Sequence, residues 1–215
     1  MNKVNYDTLL EDTISKIKAA NTRPSLLLHA CCAPCSSAVL ERIAKYFKID
    51  IFYYNPNITP KREVDKRIEE VEKLLKLEPG TEGIRLIPGK YDPESFEAIA
   101  KGREMIPEGG ERCYDCYELR LRETAVYAKE HNYDYFSTTL SISPYKRSQW
   151  LNEIGGKLAE EFDVPYLYSD FKKKNGYRRS IELSEEYGLY RQNYCGCKYS
   201  LADRERKIKE KGDGN

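Results

Sequence analysis

The stretch from Ser25 to Cys35 constrains this chain most. Ser25-Leu26-Leu27-Leu28 is an apolar run of strand length, and His29-Ala30-Cys31-Cys32-Ala33-Pro34-Cys35 follows it directly. Ser36 to Leu40 then opens a helical pattern. Three thiols therefore stand on the turn between a buried strand and the next helix. In an open α/β sheet that turn lies at the carboxyl edge, where ligands bind. Two adjacent cysteines and a third serve packing poorly there, but they suit a metal or a cluster.

The rest of the pattern fits the same architecture. Leu9, Leu10, Ile14 and Ile17 share one face of a helix over residues 6–20, which Pro24 brings to a close. Strands are predicted at 25–30, 49–54, 84–87, 133–139 and 164–168. Helices are predicted at 35–47, from Pro60 to Leu77 with Thr59 as N-cap, from Asp92, from Arg112 to Glu130, and at 146–162. Strands alternating with helices imply parallel βαβ units. The expectation is one α/β domain over residues 1–215: a Rossmann-like open sheet of about five parallel strands, the first central, with helices on both faces. An N-terminal helix falls within 1–24. A mostly helical extension over about 178–215 carries Cys195 and Cys197 and frays from Lys207. The loops 29–35, 55–60, 138–147 and 169–179 then share one edge of the sheet.

The chain has 215 residues, and its seven cysteines fall into three groups: Cys31/Cys32/Cys35, Cys113/Cys116 and Cys195/Cys197. No apolar run reaches membrane-spanning length, and the amino terminus lacks a signal-peptide core, so the cytoplasm is the expected compartment. Thiols stay reduced there, and clustered cysteines then point to metal or redox chemistry rather than a disulfide framework. The formal net charge is only +1, so no global field attracts nucleic acid. Any RNA contact must rest on a local patch.

Cys113 and Cys116 are one helical turn apart, at a predicted helix start where amide dipoles favour thiolates. With Cys31 and Cys32 they offer four sulfur ligands, a set that suits an iron–sulfur cluster or a tetrahedral zinc. Cys35 reads equally well as an inert buried thiol. Cys195-Gly196-Cys197 fits a second metal, or a pair alternating between dithiol and disulfide. His29 is a candidate proton shuttle or ligand and equally a satisfied core histidine; Asp170 is a candidate ligand or acid. Lys172, Lys173, Lys174, Arg178 and Arg179 read as a phosphate-contacting run or as solvated surface. Tyr177, Tyr187, Tyr190 and Tyr194 read as base-stacking or packing residues.

Taken together, Leu27–Cys35, Tyr54-Asn55-Pro56-Asn57-Ile58, Arg112–Cys116 with Arg120-Leu121, Thr138–Lys146, Asp170–Lys173 and Tyr190–Cys197 resemble the epoxyqueuosine reductase QueH family over about residues 25–205. The resemblance implies reduction of epoxyqueuosine to queuosine at the wobble position of a tRNA anticodon. It implies a 4Fe–4S cluster on Cys31, Cys32, Cys113 and Cys116, with no cobalamin. Cys195 and Cys197 become a redox pair or ligands of an additional iron. His29, Asp170 or a tyrosine supplies the acid, and an external electron donor supplies reducing equivalents. Two other readings compete. A zinc-stabilised RNA-binding module would use the same sulfurs without catalysis. An ATP-dependent tRNA thiolase of related fold would need a phosphate loop after strand one, where this chain has Cys31-Cys32-Ala33-Pro34-Cys35 and few amide donors.

Overall fold

The computed structural model describes residues 4–212. Helix α1 (Tyr6–Ala19) precedes β1 (Ser25–His29), α2 (Ala33–Ile43), β2 (Lys48–Tyr53), α3 (Lys61–Leu77) and β3 (Arg85–Pro88). Then come α4 (Pro93–Ala100), α5 (Glu111–Glu130), β4 (Tyr135–Thr138), a 3-10 turn at Thr139–Ile142, α6 (Ser148–Phe162), α7 (Gly176–Glu186) and α8 (Lys198–Gly212). Among the described residues no helix is long and apolar enough to cross a membrane.

The four strands form one parallel sheet in the order β3-β2-β1-β4. Alternation along β1 makes two cores. Leu26 and Leu28 pack with α1 and α2 on one face, and Leu27 packs with Leu121 and Ala125 of α5 and Leu151 and Leu158 of α6 on the other. Helices on both faces and a central first strand are therefore as expected. The strand order reverses between β1 and β4, which is where open α/β sheets bind ligands.

The fifth strand is not formed. Residues 164–168 lie beside β4 but contribute only an isolated bridge between Phe136 and Tyr166. Pro165 has no amide to donate, so it serves only as acceptor to Phe136 N, at 3.0 Å. Asn152 then captures both Ser169 N and Ser169 O through its side chain, at 2.9 Å each, and draws the following backbone away from ladder pairing. Other boundaries moved too. Thr59 does not cap α3; the N-cap is Pro60, and the Thr59–Pro60 peptide is cis. The basic loop expected through residue 179 becomes helical at Gly176. Fraying expected from Lys207 gives way to helix through Gly212, and the rest of that segment, like residues 1–3, lies outside the described residues.

Candidate metal centre

β1 delivers its last residue, His29, to the carboxyl edge, and the chain turns at once into α2. Cys32 takes the N-cap position in an extended conformation, φ −169°, with Pro34 in the first turn. No side chain caps the helix, so its amide dipoles act on the neighbouring thiols. The Cys31 and Cys32 sulfurs are 3.8 Å apart, and those of Cys31, Cys32 and Cys35 all lie within 4.8 Å of one another. Hydrogen bonds from Cys32 and Cys35 bring the Cys31 thiol well below its usual value. The same contacts with Cys31 push Cys32 up to about 11 and Cys35 upward as well. Cys35 thus belongs to the compact thiol group rather than to the filler of the core.

The second group comes from the first turn of α5. Gly109 N donates to Cys113 Sγ at 3.3 Å, and Cys116 is buried, its thiol pushed up to about 12 by desolvation. The third group folds back from the far end of the chain. Cys197 packs with Cys116, Phe96 and Ala100 in one apolar cluster. Arg67 Nη1 donates to Cys195 O at 3.2 Å, Thr59 N donates to Gly196 O at 3.1 Å, and Cys195 N donates to Ser200 Oγ at 2.9 Å. Gly196 has φ +116°, and a Cβ there would stand 2.9 Å from Ile58 Cγ1 and 3.2 Å from the Arg67 guanidinium. Only glycine lets this loop lie so close to α3. All seven cysteines are free.

Three cations surround the thiols. Arg120, 1% exposed, donates from Nη2 to Asn55 Oδ1 at 2.5 Å and from Nε toward His29 Nε2 at 3.3 Å. Burial opposes its charge, but Cys116, Cys31 and Cys195 more than offset that and hold its pKa up. Arg67, also 1% exposed, pairs with Glu63 at 2.8 Å, yet its Nη2 is buried without a partner. Burial likewise opposes the Lys146 charge, and Cys195, Cys31, Tyr117 and Cys35 outweigh it. Among the described residues neither Arg120 nor Lys146 pairs with a carboxylate. Buried cations left in this state call for compensating negative charge. Thiolates around a net-anionic metal group supply it, so the donor set and the orphaned guanidinium nitrogen both fit such a group.

His29 is fully buried. Its Nδ1 meets Thr138 Oγ1 at 3.0 Å, and its Nε2, according to the tautomer, either donates to Tyr54 O at 3.1 Å or accepts from Arg120 Nε. Burial and then the Arg120 charge lower its pKa to about 3, so the ring is neutral at ordinary pH. Asp170 sits one loop away, paired with Lys172 at 3.2 Å, while Lys172 also donates to Ser141 O at 2.7 Å. The rest of the basic run is largely committed elsewhere: Lys174 to Glu11, Arg178 to Glu182, Arg179 to Glu41. The four tyrosines named above are likewise engaged. Tyr190 lies under Lys66, Tyr194 under Arg67 and Tyr177 under Arg191, and Tyr187 packs on the core.

The profile of the epoxyqueuosine reductase QueH family matches residues 26–203, a span that contains every cysteine and all three cations. The chain belongs to this family. Curated epoxyqueuosine reductases of the family are similar along most of their length. The Staphylococcus epidermidis protein is 42% identical over 92% of this chain and 85% of its own. The Streptococcus pyogenes protein is 40% identical over 92% of this chain and 78% of its own. The Thermotoga maritima protein is 35% identical over 86% of this chain and 95% of its own. Sequence reasoning does not single out Arg67 and Lys146, whereas Arg120, with Arg112 and Arg122 on the same helix as Cys113 and Cys116, is a candidate to stabilise thiolate charge, and the structure places it in the field of Cys116, Cys31 and Cys195. Arginines and lysines on amphipathic helices and loops read as surface, and only the spacing Cys116–Arg120, one turn apart, hinted otherwise.

Proposed function

We propose that this chain reduces epoxyqueuosine to queuosine at the wobble position of a tRNA anticodon, by two-electron deoxygenation at the thiol centre. Supporting this reading are the compact Cys31/Cys32/Cys35 group at the switch point of the sheet, the packing of Cys197 on Cys116, and the buried Arg120 in the field of Cys116, Cys31 and Cys195, in a member of a family of epoxyqueuosine reductases. In the reaction both epoxide C–O bonds break and a C=C bond forms. The oxygen leaves as water, taking up two protons, and two electrons come from an external one-electron reductant.

Cys31, Cys32, Cys113 and Cys116 would hold a 4Fe–4S cluster, with Cys35 as a further sulfur beside the first two. Cys195 and Cys197 would bind an adjacent iron or act as a dithiol. When bound, such a centre passes electrons singly and polarises the epoxide C–O bond as a Lewis acid. Arg67 and Arg120 offset the negative charge that reduction adds. The departing oxygen needs a proton donor; Lys146 and Tyr117 are the proton-bearing groups beside the thiols, and Asp170, paired with Lys172, lies one loop away. His29, with both ring nitrogens engaged, orients Arg120 and ties β1 to β4 through Thr138. On this reading the whole chain acts as one domain, its C-terminal extension completing the site, and the free thiols and a tRNA substrate support an activity in the cytoplasm.

Anaerobic purification should yield a brown, iron-loaded protein. Incubation with epoxyqueuosine-bearing tRNA and a reductant should lower the mass of the modified nucleoside by one oxygen. A colourless, zinc-loaded protein that still performed this reaction would overturn the mechanism, and an unchanged nucleoside mass would overturn the function.

A further inference from the structure

Lys146 lies in the field of Cys195, Cys31 and Cys35, while the residues on either side of it stay in solvent. Tyr145 is 73% exposed and Arg147 is also exposed. The Arg147 guanidinium lies 4.2 Å from the centroid of the Trp150 ring, and Tyr114, next to Cys113, meets that ring edge-on at 5.4 Å and 79°. Among the described residues no carboxylate pairs with Arg147. In this respect it differs from Lys172, Lys174, Arg178 and Arg179, whose charges are already met. Arg147 is also the N-cap of α6, which begins with no side-chain cap and no acid in its first turn. One rim of the thiol centre therefore offers a free aromatic ring, a guanidinium stacked on an indole, and the positive end of a helix.

These are the elements that bind single-stranded nucleic acid: flat faces for bases, with unpaired positive charge for the backbone. A paired duplex hides its base faces and cannot use them. We propose that Tyr145, Arg147 and Trp150 form a stacking shelf for unpaired nucleotides flanking the reacting base of an RNA loop. This rests on the tRNA reading above and says which surface grips the loop. The four tyrosines that the sequence suggested for that task are half-buried and already engaged by neighbouring side chains.

The chain contains a single tryptophan, so Trp150 reports on its own site. Its emission should be quenched when the iron-loaded protein is titrated with an anticodon stem-loop RNA, and should not respond to the same stem prepared as a fully paired duplex. Tyr145→Ala and Arg147→Ala should each weaken loop binding roughly tenfold, and Tyr145→Phe, which keeps the stacking face, should restore it. The shelf is ruled out if loop and duplex quench equally, if saturating loop RNA leaves the emission unchanged, or if Tyr145→Ala binds the loop as tightly as wild type. Nucleoside reduction by the wild-type protein is scored separately. A failed reduction with loop-specific quenching condemns the reductase reading and leaves the shelf standing; reduction without quenching does the reverse.

Discussion

The two edges of the sheet make opposite use of charge. At the amino edge, a cleft of about 580 Å³ is lined by Arg23, Ser25, Lys48, Asp50, Arg85 and Tyr133 among others. Its polar groups satisfy one another. Arg85 grips Asp50 with two hydrogen bonds, at 2.9 and 2.6 Å, and Tyr133 Oη donates to the same carboxylate at 2.6 Å. The carboxyl edge is different. There, buried Arg67 and Arg120 and half-buried Lys146 face thiols with little or no carboxylate to pair with. Desolvating unmatched charge is costly, so a fold keeps such an arrangement where a ligand repays it. Unmet charge locates the chemistry here better than empty volume does.

The largest test of that contrast sets one edge against the other. Cys116→Ala should strip iron from the purified protein and lower turnover by more than about a hundredfold. Arg85→Ala, in a pair whose arginine side chain is 72% exposed, should leave iron content and turnover as they are. Iron analysis and a nucleoside assay on both variants decide this, and equal iron loss in the two would dissolve the distinction.

A smaller effect is expected where the C-terminal loop is fixed. Gly196→Ala forces a side chain onto φ +116° and against Ile58 and Arg67. It should cost about 1–3 kcal/mol in denaturant unfolding and, on the proposed reading, should lower the iron content of the purified protein. Wild-type stability in this variant would mean that the loop is free to move away from α3.

A pH-dependent effect concerns an unpartnered carboxyl toward the other edge. Glu78 follows α3, is 4% exposed, and has no hydrogen-bond partner on either carboxylate oxygen among the described residues. Burial, then repulsion from Glu41, pushes its pKa up to about 8. The folded state therefore holds this proton where the unfolded chain has lost it. The stability it confers is complete below the ordinary glutamate value and disappears as pH rises through about 8, a change of up to about 2–4 kcal/mol. Melting curves from pH 5 to about 9 should show wild type losing stability and Glu78→Gln staying nearly level. An acid in this position can neutralise itself by taking a proton, whereas arginine cannot neutralise itself by losing one. That is why unmet charge persists at only one of the two edges.

Much of this was legible in order along the chain. The run Leu26-Leu27-Leu28 required a strand buried on both faces, and the thiols behind it had to fall on the βα turn. The Cys113–Cys116 spacing required one helix face. Strand five failed because its pairing was decided by Pro165 and by the distant Asn152 side chain, neither of which disturbs an apolar run. Cys35 could not be separated from core filler, because a thiol's role depends on the sulfurs around it.

By itself, then, the sequence determined the first four strands, the main helices and which βα turn carries the first thiols, because hydrophobic period and turn chemistry are local. Only the tertiary structure decided that Cys195 and Cys197 return to Cys116, and that Arg67, Arg120 and Lys146 lose their water to face sulfur. Those outcomes depend on strand order, on the close approach allowed at Gly196, and on desolvation by residues remote in sequence, and no window along the chain contains them.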